Sequence, residues 1–461
     1  MKQLPLLDVL TSGCDERIFL KDNSNKYHLN PLRFERVLQR GSCTCNPLTP
    51  DGYEVAKAFH DEMPTADFQK LLASYTGRLQ ETLQRDRTEE FHVVYGPSGS
   101  DAMYIPLLFQ QLLNPGKTIV NIVTCPEELG SGSKVAAQNK YYAAWSQYGE
   151  SLPIDEFIEG AAPVETHFLP ARDVSGHIPD RKQEIRDLIE KAGDKPIVGN
   201  LVFGSKSGIK DDLAVIDEFP EIMWVVDMCQ FRADLSLIHD LITKGVQIMI
   251  TGSKFYQAPP FCGALLVPKD ITAKVAQCDA APAEAYARLF TRYDFPPALT
   301  NLRNVMPDFE NWGLLMRWAI AVDEMEKYRG WDAEKTNAWI RRWSRVVAGR
   351  LAMSNMFEMM PDMELTNDSI ISFTIHINGR ALNKAELKAM FDELVTEEHE
   401  GLGHANMFFM GQPVDYGKKA FIRLAIGSYT VRQGLSADDF DFGPDLRVVE
   451  LIENKVRTLY A

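Results

Sequence analysis

Two strand ends in this sequence carry side chains that could do chemistry. Lys254 follows the apolar run Gln247–Thr251 through a turn of small residues, and a second apolar run that ends at Pro268 begins soon after it. Asp227 ends a third apolar run, Ile222–Val226. A lysine withdrawn from water beside positive charge has a lowered pKa, so its amine can act as a nucleophile and as a general base. A snorkelling surface lysine and a turn aspartate are the simpler alternatives.

A third turn, Tyr95–Ser100, leads from an apolar strand into a helix. Its glycines allow a close backbone approach to a phosphate, and the free N–H groups of the first helical turn would point at that phosphate. Ser98, Gly99 and Ser100 are therefore candidate phosphate contacts. An ordinary helix capped by Ser100 is the alternative. The dinucleotide fingerprint GxGxxG and the Walker motif GxxxxGK[ST] are both absent from this turn.

Several polar residues lie close to these strand ends or within apolar strands. Thr251 and Ser253 could reach a phosphate and support Lys254, and Gln230 could donate a hydrogen bond to a ligand oxygen. Arg423 lies in the otherwise apolar run Phe421–Ile426 and needs a partner. A substrate carboxylate held by two hydrogen bonds would serve, as would a structural salt bridge.

Composition restricts the class of protein. The chain has 461 residues, of which 45% are hydrophobic, so it is long enough for one large domain and a smaller one. The net charge of −15 argues against non-specific binding of nucleic acid. Seven scattered cysteines do not form a disulfide framework, and neither a signal peptide nor a membrane span is recognisable. A cytoplasmic enzyme without a metal site is the expectation.

Strands and helices alternate from about residue 76 to residue 270, which predicts a mostly parallel sheet with helices on both faces. We expect three regions: an N-terminal segment (1–75) that packs with the small domain, a large domain (76–300) and a smaller α+β domain (301–461). Irregular structure with one helix near Leu32–Gln39 is predicted for the first region. The predicted elements after it are strands 91–95, 118–124, 164–169, 197–203, 222–226 and 247–251; helices 101–113, 135–145, 180–191, 212–218, 235–244, 310–328 and 333–353; and, in the tail, strands 370–377 and 421–426 with helices 384–396 and 447–459.

These motifs together resemble fold-type I pyridoxal phosphate enzymes, most closely the class V aminotransferases and cysteine desulfurases. The resemblance covers about residues 75–270 and the stretch around Arg423. It implies that Lys254 forms a Schiff base with the cofactor, that Asp227 holds the pyridine nitrogen and that Gln230 contacts the ring oxygen. Ser98, Gly99, Ser100, Ser205, Thr251 and Ser253 become cofactor contacts, and Arg423 becomes the substrate's carboxylate anchor.

The sequence departs from that family at two points. The family's ring-stacking residue, often histidine, should follow the strand 118–124, but Glu128 stands there and could act as an acid or base instead. The nucleophilic cysteine of the desulfurases is missing, because Cys262 and Cys278 follow Lys254 too closely. The resemblance also implies a homodimer in which Thr300 and Arg303 contact the neighbouring subunit's phosphate.

The prediction from sequence is therefore a pyridoxal phosphate-dependent enzyme that acts on an amino acid or a related amine. Aminotransfer is favoured over a lyase reaction, which would cleave a Cα–Cβ bond or eliminate a β-substituent. A non-catalytic binding protein on the same scaffold is the alternative from another class. A yellow protein whose cofactor can be trapped on Lys254 by borohydride would favour the enzyme.

Overall fold

The computed structural model describes residues 4–84, 91–172, 179–360, 367–416 and 419–460. Its strands are β1 (Val37–Arg40), β2 (Phe91–Gly96), β3 (Ile119–Thr124), β4 (Val164–Leu169), β5 (Ile197–Val202), β6 (Met223–Asp227), β7 (Gln247–Thr251), β8 (Gly263–Pro268), β9 (Phe357–Met359), β10 (Ile370–Ile377), β11 (Arg380–Ala381), β12 (Met407–Tyr416) and β13 (Lys419–Ala425).

The helices of the first half are α1 (Leu6–Leu10), α2 (Pro50–Glu62), α3 (Phe68–Gln84), α4 (Gly99–Ala102), α5 (Tyr104–Leu113), α6 (Ser131–Ala136), α7 (Arg181–Ala192), α8 (Val215–Glu218) and α9 (Leu235–Thr243). Those of the second half are α10 (Lys269–Val275), α11 (Thr300–Val305), α12 (Trp312–Arg329), α13 (Ala333–Ala352), α14 (Lys384–Thr396), α15 (Ser428–Ser436) and α16 (Gly443–Tyr460). Short 3-10 turns are formed by Glu16–Ile18, Ala281–Tyr286 and Pro297–Leu299.

The large sheet has seven strands in the order β2-β8-β7-β6-β5-β3-β4. The pairs among β7, β6, β5, β3 and β4 are parallel, whereas β8 runs antiparallel to both its neighbours. Strand β6 shows why the sheet is covered on both faces: Trp224 and Val226 pack into one buried cluster, and Val225 packs into another. Such continuous apolar strands are typical of parallel sheets between two helical layers, so the predicted mostly parallel sheet is confirmed.

The small sheet has the order β1-β12-β13-β10-β11, with β9 paired to β10. Strand β1 belongs to the N-terminal segment and pairs in parallel with β12, where Val37 lies opposite Met407. Helices α13, α14 and α16 pack against this sheet through one buried cluster. The N-terminal segment therefore adds a strand to the sheet that the last hundred residues build.

Local sequence signals explain several element boundaries. Asp180 caps α7 by accepting from the backbone N–H groups of Lys182 and Gln183, and Gly193 ends that helix with a φ of 62°. The helix that was expected over 101–113 is broken at Met103 into α4 and α5. Pro106 accounts for the break, since its ring clashes with the carbonyl four residues earlier.

Two predicted helices are absent from the structure. Turns and then β1 occupy 32–39, because the apolar residues there pair with β12 instead of forming a helix. The helix predicted over 135–145 ends at Ala136, and Asn139 takes a left-handed φ of 60°. Asn139 donates its side-chain amide to Ala162 O, which holds this stretch as a folded loop. Side-chain hydrogen bonding to a distant backbone has replaced the helical bonds.

The described residues contain neither a disulfide nor a membrane helix. All seven cysteines are free thiols, and six of them are buried. In the part of the chain that the structure describes, no helix combines the length and the apolar character needed to cross a bilayer. The same residues include no group of three His, Cys, Asp or Glu side chains that could hold a metal ion.

Candidate functional site

The turns singled out from the sequence meet at one edge of the large sheet. Strands β2, β6 and β7 run in the same direction, so their carboxyl ends lie together. The register places Gly96 beside Gly263 and Gly263 beside Thr251. Asp227 is two residues away along this edge, opposite Met249. This is the edge at which open parallel sheets bind ligands.

A cavity of about 310 Å³ opens at this edge. It lies at the lower end of the size range of small-molecule sites. The predicted site residues that line it are Ser98, Gly99, Ser100, Glu128, Ser205, Asp227, Thr251, Ser253, Lys254 and Arg423. The sequence prediction did not include the other ionisable residues that line it, which are Arg17, Lys26, Tyr27, Cys43, Cys229, Lys206 and Lys384.

Lys254 reaches the cavity from the turn after β7. Its backbone is fixed, because the side-chain amide of Asn46 donates to Ser253 O and to Lys254 O at 3.1 and 2.9 Å. Within the described residues the structure records no hydrogen bond or ion pair from the Lys254 amine. The amine is half-buried and lies close enough to Lys206 and Cys229 to influence the pKa of both side chains.

Asp227 lies on the same cavity wall as the last residue of β6. One carboxylate oxygen accepts the backbone N–H of Cys229 at 2.8 Å, which orients the side chain. The side chain is buried, and its charge, together with burial, raises the pKa of the Cys229 thiol. A carboxylate in this setting can hold a protonated ring nitrogen.

The turn between β2 and α4 supplies hydroxyl and backbone donors. Ser98, not Ser100, caps α4: its hydroxyl accepts the Ser100 N–H at 3.1 Å and donates to Asp101 at 2.7 Å. The Ser100 hydroxyl contacts that of Ser133 at 3.0 Å. Gly99 permits a close approach, since a Cβ there would lie 2.8 Å from the Cys229 sulfur. The helix cap is therefore Ser98 and not the Ser100 that the sequence suggested, and both serines line the cavity.

Two further hydroxyls follow β7 in this wall. Thr251 donates its hydroxyl to Cys229 O at 2.7 Å and so ties the ends of β6 and β7 together. The Ser253 hydroxyl is buried and makes no hydrogen bond to a nitrogen or oxygen of the described residues, although it interacts with the Cys262 thiol. A thiol is a weak hydrogen-bond partner, so this hydroxyl is suited to a ligand oxygen.

Glu128 is a buried carboxylate joined to the turn at 205–208. Its two oxygens accept from Ser207, at 2.8 Å from the backbone N–H and 2.6 Å from the hydroxyl. Ser205 donates its hydroxyl to Glu128 O at 2.9 Å. Burial raises the pKa of Glu128, while the Ser207 hydrogen bonds, Lys206 and Arg423 oppose that rise. The side chain is therefore anchored at the cavity wall as a potential acid or base.

Lys206 brings a second lysine amine to the cavity, which the sequence reading missed. The amine donates to Glu127 O at 3.1 Å and to Leu129 O. Burial, followed by the charge of Arg423, lowers its pKa to about 7, against the opposing effect of Glu128. Lys206 directly follows Ser205, which the resemblance had already made a candidate cofactor contact. The sequence signal was thus present but did not point to a lysine.

Arg423 is buried in β13 with its guanidinium at the cavity. Nη1 donates to Lys206 O at 3.0 Å, and Nη2 donates to Gln412 O at 2.7 Å. Within the described residues it forms no ion pair with a carboxylate. A structural salt bridge, the simpler alternative drawn from the sequence, is therefore absent there, and the guanidinium keeps its positive charge for the cavity.

Three predicted site residues lie outside the cavity wall. Gln230 is fully buried and donates to Cys43 O at 2.9 Å, so its amide serves the N-terminal segment. Thr300 donates to Pro297 O at 2.9 Å at the start of α11, and Arg303 donates to Phe295 O at 3.4 Å. Contact of Thr300 and Arg303 with a neighbouring subunit stays a prediction.

The N-terminal segment contributes the part of the wall that the sequence did not reveal. Arg17, Lys26, Tyr27, Cys43 and Thr44 line the cavity, although they lie between 54 and 81 residues before the first predicted site residue, Ser98. No periodic pattern or motif marks these residues. Their role depends on how this irregular segment folds back over the sheet, which is a long-range property.

Comparisons with known proteins identify the fold. No protein-family model matches the chain, and no curated protein matches its sequence. The cysteine desulfurase CsdA from Escherichia coli superposes with a TM-score of 0.55 and 13% identity, over 91% of this chain and 95% of its own. The phosphoserine aminotransferase SerC from Cytophaga hutchinsonii gives 0.54 and 14%, over 93% and 100%.

A third solved structure agrees with these two. The NifS-like protein from Rickettsia africae gives a TM-score of 0.53 at 10% identity, over 91% of this chain and 99% of its own. At such identities the likeness concerns the fold. The predicted fold class is confirmed: the chain has the architecture of fold-type I pyridoxal phosphate enzymes, similar to class V aminotransferases and cysteine desulfurases.

Proposed function

We propose that this protein is a pyridoxal phosphate-dependent enzyme that acts on an amino acid or a related amine. The observation that carries the proposal is that the Lys254 amine and the Asp227 carboxylate line one cavity of ligand size, at the carboxyl edge of the sheet. A serine-rich turn and a positively charged wall complete that cavity. The same fold in the solved structures supports the proposal.

The residues in the cavity fit the cofactor. Ser98, Gly99 and Ser100, with the Ser253 hydroxyl, offer donors for a phosphate group. Asp227 would hold the pyridine nitrogen in its protonated form. The cofactor, when bound, supplies an electron sink that stabilises negative charge at the substrate's α-carbon.

The chain's own residues would divide the remaining work. Lys254 would bind the cofactor's aldehyde carbon and then, with its amine released, carry a proton to or from the substrate. Arg423 would position a carboxylate through its planar pair of donors. Glu128, which we assign to the position of the family's stacking ring, lines the cavity, and its anchored carboxylate would give the site a second proton-carrying group.

Aminotransfer is the reaction that we favour, because the Lys254 amine lines the same cavity as the carboxylate-binding candidate Arg423 and could carry a proton between neighbouring atoms of a bound amino acid. A lyase reaction on the same cofactor is the alternative. Nothing in the cavity of this chain corresponds to a desulfurase nucleophile, since the described thiols there, Cys43 and Cys229, are buried and the pKa of Cys229 is raised. A non-catalytic role would leave the Lys254 and Asp227 pair without a purpose.

Covalent trapping tests the proposal. The purified protein should be yellow, and borohydride should fix the cofactor on Lys254, as located by mass spectrometry of the peptides. Lys254→Ala should remove the fixation, whereas Lys206→Met, which removes the other buried amine of the cavity, should keep it. A colourless protein that takes up no pyridoxal phosphate, or fixation on Lys206, would contradict the proposal.

The reaction type requires a separate measurement. Cofactor-loaded protein that has not been treated with borohydride would be mixed with single amino acids. Ammonia and oxo acids would be measured with and without an added 2-oxo acid. Aminotransfer predicts turnover only when the 2-oxo acid is present as amino acceptor. It also predicts that no ammonia is released. Ammonia release, or cleavage without an acceptor, would establish a lyase instead.

A further inference from the structure

Arg17 is fixed in the cavity wall by its own short segment. It lies in the 3-10 turn Glu16–Ile18, which Asp15 caps by accepting the Arg17 N–H. The same carboxylate pairs with the guanidinium in a fork, with Nε to Oδ1 at 2.7 Å and Nη2 to Oδ2 at 2.6 Å. Such a two-point pair fixes the plane of the guanidinium as well as its position.

Neighbouring groups hold the other faces of this guanidinium. Nη2 also donates to the Ser98 hydroxyl at 2.8 Å and to Tyr142 OH at 3.2 Å. The rings of Phe261 and Tyr142 lie 4.6 and 5.0 Å from its central carbon. Arg17 is therefore held directly beside the turn between β2 and α4, where the candidate phosphate donors lie.

One end of the guanidinium has no recorded partner in the part of the chain that the structure describes. Within the described residues no hydrogen bond from Arg17 Nη1 is recorded, although the residue lines the cavity. Its two N–H groups are the donors that remain after Nε and Nη2 have bound Asp15, Ser98 and Tyr142. Arginine commonly binds phosphate through such a fixed, planar set of donors.

A second cation lies near Arg17 on the same wall. Lys26 also lines the cavity, and within the described residues it forms no ion pair. Burial, and then the charge of Arg17, lowers the pKa of its amine. Asp15 offsets part of the charge of Arg17, and Asp15 and Glu16 oppose the lowering of the Lys26 pKa. The Nη1 donors of Arg17 and the amine of the exposed Lys26 still suit a phosphate monoester, which carries about −1.5 to −2 at neutral pH.

We propose that Arg17, assisted by Lys26, binds the phosphate group of the cofactor from within the same chain. This inference rests on the proposed function. It adds two cationic side chains to the phosphate donors that Ser98, Gly99 and Ser100 offer. It also gives the N-terminal segment a role in cofactor binding. A cation supplied in this way does not depend on Thr300 or Arg303 of a second copy.

The experiment compares two ligands that differ only in the phosphate. Full-length protein freed of cofactor would be titrated with pyridoxal phosphate and with pyridoxal, and binding would be followed by quenching of tryptophan fluorescence. Arg17→Gln should weaken the binding of pyridoxal phosphate at least about tenfold and leave that of pyridoxal unchanged. Lys26→Gln should have the same selectivity with a smaller effect.

Two further variants separate the proposed role from a merely structural one. Arg17→Lys keeps the charge but loses the fork, so it should retain part of the preference for pyridoxal phosphate. Lys384→Gln removes a cation that also lines the cavity but pairs with the exposed Asp415 at 2.7 Å, and it should leave the preference at the wild-type value. Thermal unfolding without ligand would report any loss of folded protein.

The outcomes are distinct. Equal weakening of both ligands by Arg17→Gln and Arg17→Lys would show that Arg17 only holds the fold, and an unchanged preference in both would show that the phosphate binds elsewhere. Either result overturns this inference and leaves the proposed function intact. A wild-type protein that binds neither ligand would overturn both.

Discussion

At the scale of single residues, Arg423 illustrates how a buried cation can be held without being neutralised. Its two terminal nitrogens donate to Lys206 O and Gln412 O, both of which are backbone carbonyls. These bonds orient the guanidinium and satisfy part of its donors, but they cancel none of its charge. A carboxylate that enters the cavity therefore meets a preoriented guanidinium that forms no ion pair within the described residues, although its charge also acts on the buried Glu128.

Arg423→Gln should weaken the binding of amino acids far more than the binding of the amines that lack their carboxylate. A charge-assisted hydrogen bond contributes about 1.5–3 kcal/mol, which corresponds to about 10- to 150-fold in affinity. Titration of the cofactor's absorbance with an amino acid and with its decarboxylated amine would measure the two effects. An equal loss for both ligands would contradict a role for Arg423 in binding carboxylate.

The site residues that could be predicted from sequence share one property. Asp227 ends the buried strand β6 and Lys254 follows the buried strand β7 by three residues, so a short stretch of sequence is enough to place them at the carboxyl edge of the sheet. Arg17 could not be predicted in the same way, because it lies on an irregular segment. Lys206 also follows a buried strand, β5, but nothing in its own turn distinguished it from a surface lysine. Gln230 follows Asp227 by three residues and was expected to contact the cofactor, and in the structure its amide donates to Cys43 O.

At the scale of elements, the cavity wall depends on two turns that hydrogen bonds hold together. The turn after β3 contributes Glu127, Glu128 and Leu129, and the turn after β5 contributes Ser205, Lys206 and Ser207. Five hydrogen bonds cross between them, and all of them are donated by the second turn. Because each turn follows a buried strand, these bonds fix the wall relative to the sheet.

Ser207→Ala should destabilise the protein more than Ser205→Ala. The Ser207 hydroxyl donates to the buried Glu128 carboxylate, and removing a bond to a charged group costs about 1.5–3 kcal/mol. The Ser205 hydroxyl donates to a neutral carbonyl, for which about 0.5–1.5 kcal/mol is expected. Urea unfolding of the two variants provides the comparison, and equal or reversed losses would show that the Glu128 charge is not what the turn stabilises.

Elements with a strong local signal were predicted closely, and those that depend on distant partners were not. Strands β7 and β10 and helix α14 have the bounds that their apolar patterns predict. Strand β1 was missed because its four residues pair with β12, about 370 residues later in the chain. No pattern within residues 32–40 distinguishes a strand that pairs with β12 from a helix.

At the scale of the whole molecule, charged side chains join the N-terminal segment to helix α16 and to the edge of the large sheet. Arg40 on β1 donates to both oxygens of Asp445, at the start of α16, and Trp343 on α13 donates to the same carboxylate at 2.8 Å. Arg17 makes the corresponding link to the large domain through Ser98. We therefore expect the N-terminal segment to unfold together with the rest of the chain.

Two buried aspartates near the sheet edge make the stability of the whole molecule depend on pH. Burial, and then the charge of Asp15, raises the pKa of Asp101 to about 6, and burial raises that of Asp294 to about 7. Both have a reference value of 3.8. The folded protein thus retains two protons that the unfolded chain releases near pH 4. The stability that these groups contribute is complete below that pH and is lost as the pH rises toward 7.

Asp294→Asn should therefore reduce the fall in the free energy of unfolding between pH 4 and pH 7. The asparagine oxygen can still accept from the Thr291 N–H and the Gln147 amide, which both bond one oxygen of Asp294 at 2.7 and 3.0 Å. The slope for one such group reaches at most about 1.4 kcal/mol per pH unit inside the window. Asp101→Asn should reduce the fall in the free energy of unfolding over a narrower range of pH, which ends near pH 6. Urea unfolding at each pH would measure the slopes, and a variant as steep as the wild type would mean that the native carboxylate ionises at its ordinary pH.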